Sequence, residues 1–224
     1  MGKGNIIGVP NEPTPAIASG VWSLGEQYRA KVNNTWPPLQ LPVDITFEGS
    51  NQADLGNLSF SRTVPTGKII FATAAVNVAD LALTVGGNPA SVIVEDYTDI
   101  DKAVAFFEYD NTVTTSQTIV LTLSGGSNLD SIVNTYSVQN SLTISGTIDT
   151  LPRTSASQGG LIFMSQSVNA ASGVPTATNA LTVDTNIDTR TTEFNYSAHY
   201  IGDTTISTNG TLTASHRYGT ILIS

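Results

Sequence analysis

From Ile45 to the end of the chain, hydrophobic and polar residues are arranged in short blocks. Runs rich in β-branched and aromatic side chains are separated by Gly, Asn, Asp and Ser. In one clear case Ile119, Leu121 and Leu123 would face one way, and the residues between them the other. Alternation with a period of two is typical of a strand that is buried on one face. The pattern therefore predicts a body built from β-strands.

Fourteen such strands can be placed in this region. They are Leu58–Arg62, Lys68–Val76, Leu81–Val85, Ser91–Glu95, Ala103–Tyr109, Gln117–Ser124, Ser131–Ser137, Ser141–Ile148, Gly160–Val168, Ala180–Asp184, Glu193–Ile201, Thr205–Ser207, Thr211–Ala214 and Tyr218–Ile223. Short strands spaced about 8–12 residues apart favour an antiparallel β-sandwich or a jelly roll. We therefore predict an all-β body over residues 45–224.

Glycine and asparagine mark the turns between these strands. Asn209-Gly210 is the strongest hairpin signal, because both residues accept the positive φ angles of a type I′ turn. Gly86-Gly87-Asn88 and Gly125-Gly126-Ser127-Asn128 are predicted to form longer turns.

The first 44 residues follow a different pattern and are predicted to form an arm. The segment holds six of the ten prolines: Pro10, Pro13, Pro15, Pro37, Pro38 and Pro42. Within it, Ser23 and Glu26 have the spacing of a capping box, and a short helix is predicted over residues 24–32. The helix should end before Pro37 and Pro38, since neither proline can donate a backbone hydrogen bond.

The apolar residues of the arm need a surface to bury against, because a helix of about two turns is marginal alone. Both tryptophans of the chain lie here, next to one apolar helical stripe; the set is Trp22, Leu24, Tyr28, Val32 and Trp36. These side chains could pack on the protein's own body or dock on a different protein. The contrast between arm and body favours docking on a partner.

Composition and charge argue against two classes of function, nucleic-acid binding and membrane insertion. The net charge is −9, and residues 1–44 hold three cationic and three acidic residues, so the excess negative charge lies in the body. Nucleic-acid binding requires clustered Lys and Arg, which the body lacks. The chain has no cysteine, and no apolar run reaches the length of a membrane helix. We expect neither a nucleic-acid partner nor membrane insertion.

One acidic run is a weak candidate for calcium. Glu95, Asp96, Asp99 and Asp101 lie within seven residues, and Ca²⁺ prefers clustered oxygen ligands. The run lacks the glycine and the final glutamate of an EF-hand loop. The alternative is a solvated loop between strands whose charges keep a sheet edge from pairing. The prediction is no bound metal and no cofactor.

No motif in the chain indicates catalysis. His199 and His216 are the only histidines, and neither belongs to a zinc-ligand spacing or a Gly-x-Ser-x-Gly elbow. Both are expected to be structural or exposed, although residues distant in sequence could still assemble a triad. Paired carboxylates for sugar cleavage cannot be identified without a structure. Tyr97, Tyr136 and Tyr218 remain as candidate rim residues for a sugar-binding body.

The N-terminal segment resembles that of tailed-bacteriophage virion proteins. The residues that carry the resemblance are Asn5-Ile6-Ile7-Gly8, Asn11-Glu12-Pro13-Thr14, Ala18-Ser19-Gly20-Val21-Trp22-Ser23-Leu24 and Trp36-Pro37. Val9 departs from the pattern, in which proline follows Gly8 directly.

The resemblance implies a virion component of the fibre, collar or head-decoration type, made in the host cytoplasm, and it implies no reaction. Its partners would be capsid, collar or tail proteins, bound through residues 1–44, in a homo-oligomer for which phage fibres suggest a trimer. The alternative is a module that binds a host receptor or a surface glycan.

Overall fold

The computed structural model describes residues 41–54, 56–99, 102–125, 130–141, 143–168, 174–190, 193–207 and 216–224. Residues Pro42–Ser224 form one compact unit, and residues 1–40 of the predicted arm, which include its helix, lie outside the described residues. The described part is all-β and contains no helix. The all-β, antiparallel prediction is thus confirmed for the body.

The described residues of this unit form seventeen strands. In chain order they are β1 Asp44–Ala53, β2 Leu58–Arg62, β3 Gly67–Ala75, β4 Val78–Val85, β5 Asn88–Pro89, β6 Ser91–Asp99, β7 Lys102–Asn111, β8 Gln117–Gly125, β9 Ser131–Gln139, β10 Ile144–Ile148, β11 Arg153–Ser155, β12 Gly160–Val168, β13 Thr176–Ala177, β14 Thr182–Arg190, β15 Glu193–Ile201, β16 Thr204–Ser207 and β17 His216–Ile223.

The strand prediction was right for most elements and wrong at several places. β1 was missed, because its core-facing positions are interrupted by a bulge between Phe47 and Gly49. The short strands β5, β11 and β13 were also missed, since two or three residues show no alternation. β10 begins at Ile144 rather than Ser141. The predicted strand Thr211–Ala214 and the Asn209-Gly210 turn lie outside the described residues.

The predicted loop at Gly86 is tighter than expected. Val85 pairs directly with Asn88, so Gly86 and Gly87 form a two-residue hairpin turn. Their φ angles are +58° and +84°, the combination of a type I′ turn. Two adjacent glycines adopt these positive φ angles without steric cost. A longer loop would not require positive φ angles at both positions.

The first nine strands form a jelly roll. The chain folds back on itself so that β1 pairs with β9, β2 with β8, β3 with β7 and β4 with β5. Rolling up this long hairpin gives two sheets, β1-β9-β3-β7-β6 and β2-β8-β4-β5, in which β6 is an added edge strand. We call them inner sheet 1 and outer sheet 1.

The last eight strands repeat this arrangement. β10 pairs with β17, β11 with β16 and β12 with β15. The resulting sheets are β10-β17-β12-β15-β14, inner sheet 2, and β11-β16-β13, outer sheet 2. Strand for strand, inner sheet 2 has the order of inner sheet 1. The body is therefore two consecutive jelly rolls rather than one large sandwich.

A sequence repeat accompanies the repeated topology. Gly67–Ala79, which contains β3, and Gly159–Ala171, which contains β12, are identical at six of thirteen positions, at the glycine, Ile, Phe, Val, Asn and Ala of G-x-x-I-F-x-x-x-x-V-N-x-A. The equivalent residues also face equivalent ways. Phe71 and Phe163 each point toward their own outer sheet, whereas Ile70 and Ile162 point toward the other jelly roll.

Four layers of sheet enclose three hydrophobic cores. Phe71, Phe107 and Leu121 belong to the core between outer and inner sheet 1. Phe163 and Ile206 belong to the core between inner and outer sheet 2. The third core joins the inner sheets to each other, through Ile70, Ala72, Phe106, Ile132, Ile162, Met164 and Ile221. We call this contact between the two jelly rolls the junction.

Candidate functional site

Most of the predicted docking and metal residues are not described by the structure. Trp22, Leu24, Tyr28, Val32 and Trp36 all lie outside the described residues, so partner docking by the arm stays a prediction. The same holds for Asp101 and for the side chain of Asp99.

The described part of the acidic run, Glu95–Asp99, belongs to a strand rather than a loop. β6 extends through Asp99, and neighbouring residues of a strand face opposite ways. Glu95 accepts a hydrogen bond from the Tyr97 hydroxyl, whereas Asp96 accepts one from Arg217 Nη1 at 3.2 Å. Among the described side chains, no three His, Asp or Glu residues form a group that could hold a metal ion.

A cluster of hydrogen-bonded side chains with catalytic potential lies in the junction. Tyr136 of β9 reaches from inner sheet 1 to β14 and β15 of inner sheet 2. Its hydroxyl lies 2.9 Å from Asp184 Oδ2 and 2.7 Å from Ser197 Oγ. Nδ1 of His199 lies 2.8 Å from Asp184 Oδ1, and Thr185 Oγ1 donates to Ser197 Oγ at 3.1 Å. We call these five residues the junction cluster.

Every hydroxyl proton in the junction cluster has an acceptor. Thr185 donates to Ser197, Ser197 to Tyr136, and Tyr136 to Asp184, where the chain meets the Nδ1–H of His199. The Tyr136 ring also packs against Phe47 at 5.4 Å between centroids and edge-on to His199 at 6.1 Å. A fully satisfied chain of this kind can fix the orientation of one sheet on the other.

Burial shapes the electrostatics of this cluster. Tyr136 is fully buried, and the side chain of Asp184 is 2% exposed. Burial, followed by the nearby Asp184 charge, holds the pKa of Tyr136 well above its ordinary value. The same two causes raise the pKa of Tyr196. Tyr136 therefore stays a neutral donor to Asp184 over the whole ordinary pH range.

The junction cluster is not a Ser-His-Asp triad. Asp184 and His199 have the mutual placement of a triad's acid and base, but Ser197 donates to Tyr136 and is fully buried. In a triad the hydroxyl nucleophile must donate to the other ring nitrogen and reach a substrate. The hydrogen bonds instead join inner sheet 1 to inner sheet 2 and hold the two sheets in a fixed relative orientation.

The sequence reading of the junction cluster was incomplete. Tyr136 was predicted as a rim residue for sugar binding and is instead buried, because β9 is covered on both faces. Asp184 and Ser197 were not singled out. Asp184 lies 48 positions from Tyr136, and no local pattern connects residues at such a distance.

A second polar connection lies on the opposite side of the junction. Arg217 of β17 forms an ion pair with Asp96 of β6 at 3.2 Å and another with Asp149, which follows β10. The Arg217 side chain is 14% exposed, so these bonds are partly shielded from water. Polar groups thus flank the apolar centre of the junction on both sides.

His216 is the other histidine of the chain. It is 7% exposed and lies beside Ser167 in the register of β17 and β12. Its burial is that of a core residue.

Comparison of the chain with protein-family profiles, with curated proteins and with solved structures gave no match. The described part of the chain also holds no helix long and apolar enough to cross a membrane.

Proposed function

We propose that this chain is a non-enzymatic structural protein of a phage particle. Residues 1–44 would attach it to the capsid, collar or tail, and the tandem jelly rolls would face outward as a fibre or decoration. The observation that carries the proposal is that the start of the body, the linker between the jelly rolls and Ser224 lie together at one end of the body.

The entry end is defined by four backbone segments. Val43 donates a backbone hydrogen bond to Gln158 O at 2.8 Å, and Asn140 Nδ2 donates to Pro42 O at 3.1 Å. Thr143 and Ser224 exchange backbone hydrogen bonds nearby. The start of the body, the linker between the jelly rolls and the carboxyl terminus therefore lie together.

The opposite end of the body is defined by the other ends of the same strands. β1 ends where β9 begins, with Ala53 beside Ser131, and β12 ends where β15 begins, with Val168 beside Glu193. Nine-residue strands span about 30 Å at 3.3 Å per residue, so these strand ends lie about that far from the entry end. This polarity suits a protein that is attached at one end and displayed at the other.

Charge and the arm's resemblance support the same proposal. The excess negative charge of the chain lies in the body, which suits exposure to solvent rather than contact with packaged DNA. The Asn5–Pro37 segment resembles the N-terminal segment of phage virion proteins. Assembly as a homo-oligomer, with a trimer suggested by phage fibres, remains part of the proposal.

The second candidate is a module that binds a host receptor or glycan. Jelly rolls occur in both viral capsid proteins and lectins, so the fold does not choose between the two. The body has no tryptophan, and burial removes Tyr136 from the candidate platform residues. Tyr97 and Tyr218, both half-buried, remain.

Deletion of the arm tests the proposal. In the phage that encodes the chain, a protein beginning at Pro42 should fold but should not be incorporated into particles. The cut belongs at Pro42 because Val43 is 2% exposed and bonded to the body. Full-length protein with Trp22→Ala and Trp36→Ala should lose most incorporation as well. Normal incorporation of the truncated protein would contradict arm attachment.

A binding assay separates the two candidates. The Pro42–Ser224 body should bind neither host cells nor an array of glycans if its role is structural. Saturable binding to either would establish the receptor- or glycan-binding alternative instead.

A further inference from the structure

We propose that β10 is a dimerisation edge, and that it pairs with β10 of a second copy of this chain about a two-fold axis at Gly146. This inference does not depend on attachment to a particle, and its two-fold pairing is an alternative to the trimer that phage fibres suggest. It rests on the free edge of inner sheet 2 and on the sequence of five residues, Ile144-Ser145-Gly146-Thr147-Ile148.

Within the described part of the chain, β10 is an edge strand that lacks the usual protection. Bulges interrupt the pairing of the other edge strands of the two inner sheets: β1 at Phe47/Gly49, β6 at two places and β14 at two places. Each of these strands also carries acidic residues. β10 pairs with β17 without a register shift and carries no charge. Bulges and charges are the features that keep sheet edges from pairing with other chains.

The backbone of β10 presents its free groups in a regular row. Thr143 and Ser224 exchange both backbone hydrogen bonds, and Asp149 N donates to Tyr218 O. In an antiparallel ladder, bonded and non-bonded pairs alternate. The N–H and C=O groups of Ser145 and Thr147 therefore point toward β17, whereas those of Ile144, Gly146 and Ile148 point out of the sheet.

Little in the described part of the chain covers this row. Among the described residues, one side-chain bond reaches this row: Thr150 Oγ1 donates to Ile148 O at 3.0 Å at the far end of the strand. The side chains of Ile144 and Ile148 are half-buried against the junction core. A partner strand at this edge would lie next to these two partly exposed apolar side chains and could add apolar contact to its hydrogen bonds.

The sequence of β10 identifies the partner. Ile-Ser-Gly-Thr-Ile has the same residue classes in both directions. An antiparallel copy centred on Gly146 places Ile144 opposite Ile148 of the second copy, and Ser145 opposite Thr147. Isologous contacts require this self-complementarity, and Ser–Thr and aliphatic cross-strand pairs are favourable. No charge opposes a like charge within the paired residues.

The register follows from the backbone geometry. Gly146 would form a hydrogen-bonded pair with its own copy, and Ile144 with Ile148 on each side. A glycine is also required here by the fold itself, because a Cβ at Gly146 would come within 2.5 Å of Val94 Cγ1. One pair of five-residue strands buries little area, so the dimer should be weak and concentration-dependent.

Cysteine cross-linking of the full chain tests both the contact and its register. The chain has no cysteine, so single replacements are free of background. In the proposed pairing, Ser145 and Thr147 of the two copies form a non-hydrogen-bonded pair, whose close Cα spacing suits a disulfide. Under mild oxidation, an equal mixture of Ser145→Cys and Thr147→Cys chains should form cross-linked heterodimers. Either variant alone should form severalfold less.

Sedimentation of the unmodified chain provides the second readout. It should shift from monomer toward dimer as its concentration rises through the micromolar range. Ile144→Pro should abolish this shift, because it removes an outward N–H without removing a bond to β17. Ile144→Val is the matched control and should still dimerise, with thermal unfolding confirming that both variants fold. The proposal is overturned if the wild-type chain stays monomeric, or if its dimers give no heterodimer cross-link above the single-variant background.

Discussion

Tyr136 shows how the environment of one residue sets its role. A tyrosine at a strand position can be a surface platform or a core residue, and the choice depends on what covers the strand. Here both faces of β9 are covered, so the ring is buried and its hydroxyl needs partners. Asp184 and Ser197 provide them. The residue thereby connects the two inner sheets.

The buried tyrosine makes stability depend on alkaline pH. The folded pKa of Tyr136 is raised, so above about pH 10 the unfolded chain loses this proton while the folded chain keeps it. Its contribution is present below pH 10 and is lost as the pH rises further. In urea unfolding at about pH 8 and about pH 11, the stability lost between the two should be smaller for Tyr136→Phe than for wild type. The variant should still lose some stability between these two pH values, because the pKa values of Tyr97, Tyr196 and Tyr218 are also raised.

Tyr136→Phe should also be less stable than wild type at neutral pH. Tyr136→Phe should lose about 1–3 kcal/mol of unfolding free energy, because Asp184 and Ser197 each lose a buried partner. Tyr109→Phe, at a half-buried tyrosine of β7, should change stability by less than about 0.5 kcal/mol. Equal losses between about pH 8 and about pH 11 in Tyr136→Phe and wild type would contradict the assignment of the pH effect to this residue.

At the level of the strands, the sheet edges and the turns determine much of which strands pair and in what register. Bulges in β1, β6 and β14 bend three of the four edges of the inner sheets. The tight turn between β4 and β5 fixes their register, since a type I′ turn matches the right-handed twist of the strands. Local chemistry thus determines how neighbouring strands meet.

Gly87 gives a direct test of this turn. It adopts φ +84°, and a Cβ added there would meet no atom within 4 Å, so substitution costs backbone strain alone. Gly87→Ala should lower the free energy of unfolding by about 1 kcal/mol. Gly87→Asn should lie closer to wild type, because asparagine tolerates positive φ. Chemical denaturation measures both, and equal stability of the two variants would argue against a type I′ turn.

The whole body is organised by the junction. Two jelly rolls of the same strand order present equivalent faces to each other, with β3 against β12 near the middle. Its apolar core is continuous between the inner sheets, and the junction cluster and the Arg217 ion pairs lie on its two sides. A shared core of this kind should make the two jelly rolls unfold together.

Calorimetry of the full chain with Met164→Ala tests that cooperativity. Met164 is fully buried in the junction core, so its truncation should cost about 2–5 kcal/mol. The body should still unfold in one transition at a lower temperature. Val92→Ala, at a position 48% exposed, is the control and should change little. Two separate transitions, only one of them shifted, would show that the jelly rolls unfold independently.

The sequence by itself determined most of the strands, although not β1 or the shortest ones. Alternation, glycine and β-branched residues act over a few positions, which is why β2, β12 and β15 were predicted at their observed bounds. The nearly unbroken apolar run from Ile69 to Val76 indicates burial on both faces, because a strand with one solvated face alternates. All of these residues are buried in the structure.

Only the tertiary structure decided which strands pair, that the body is two jelly rolls, and that Tyr136 meets Asp184 and His199. Those outcomes depend on contacts between residues tens of positions apart, such as the 48 that separate Tyr136 from Asp184. The free energy of such contacts comes from burial shared by several strands, so no single segment records it. The repeat that begins at Gly67 and at Gly159 can be found in the sequence alone. Only the matching strand order of the two inner sheets shows that it marks two jelly rolls.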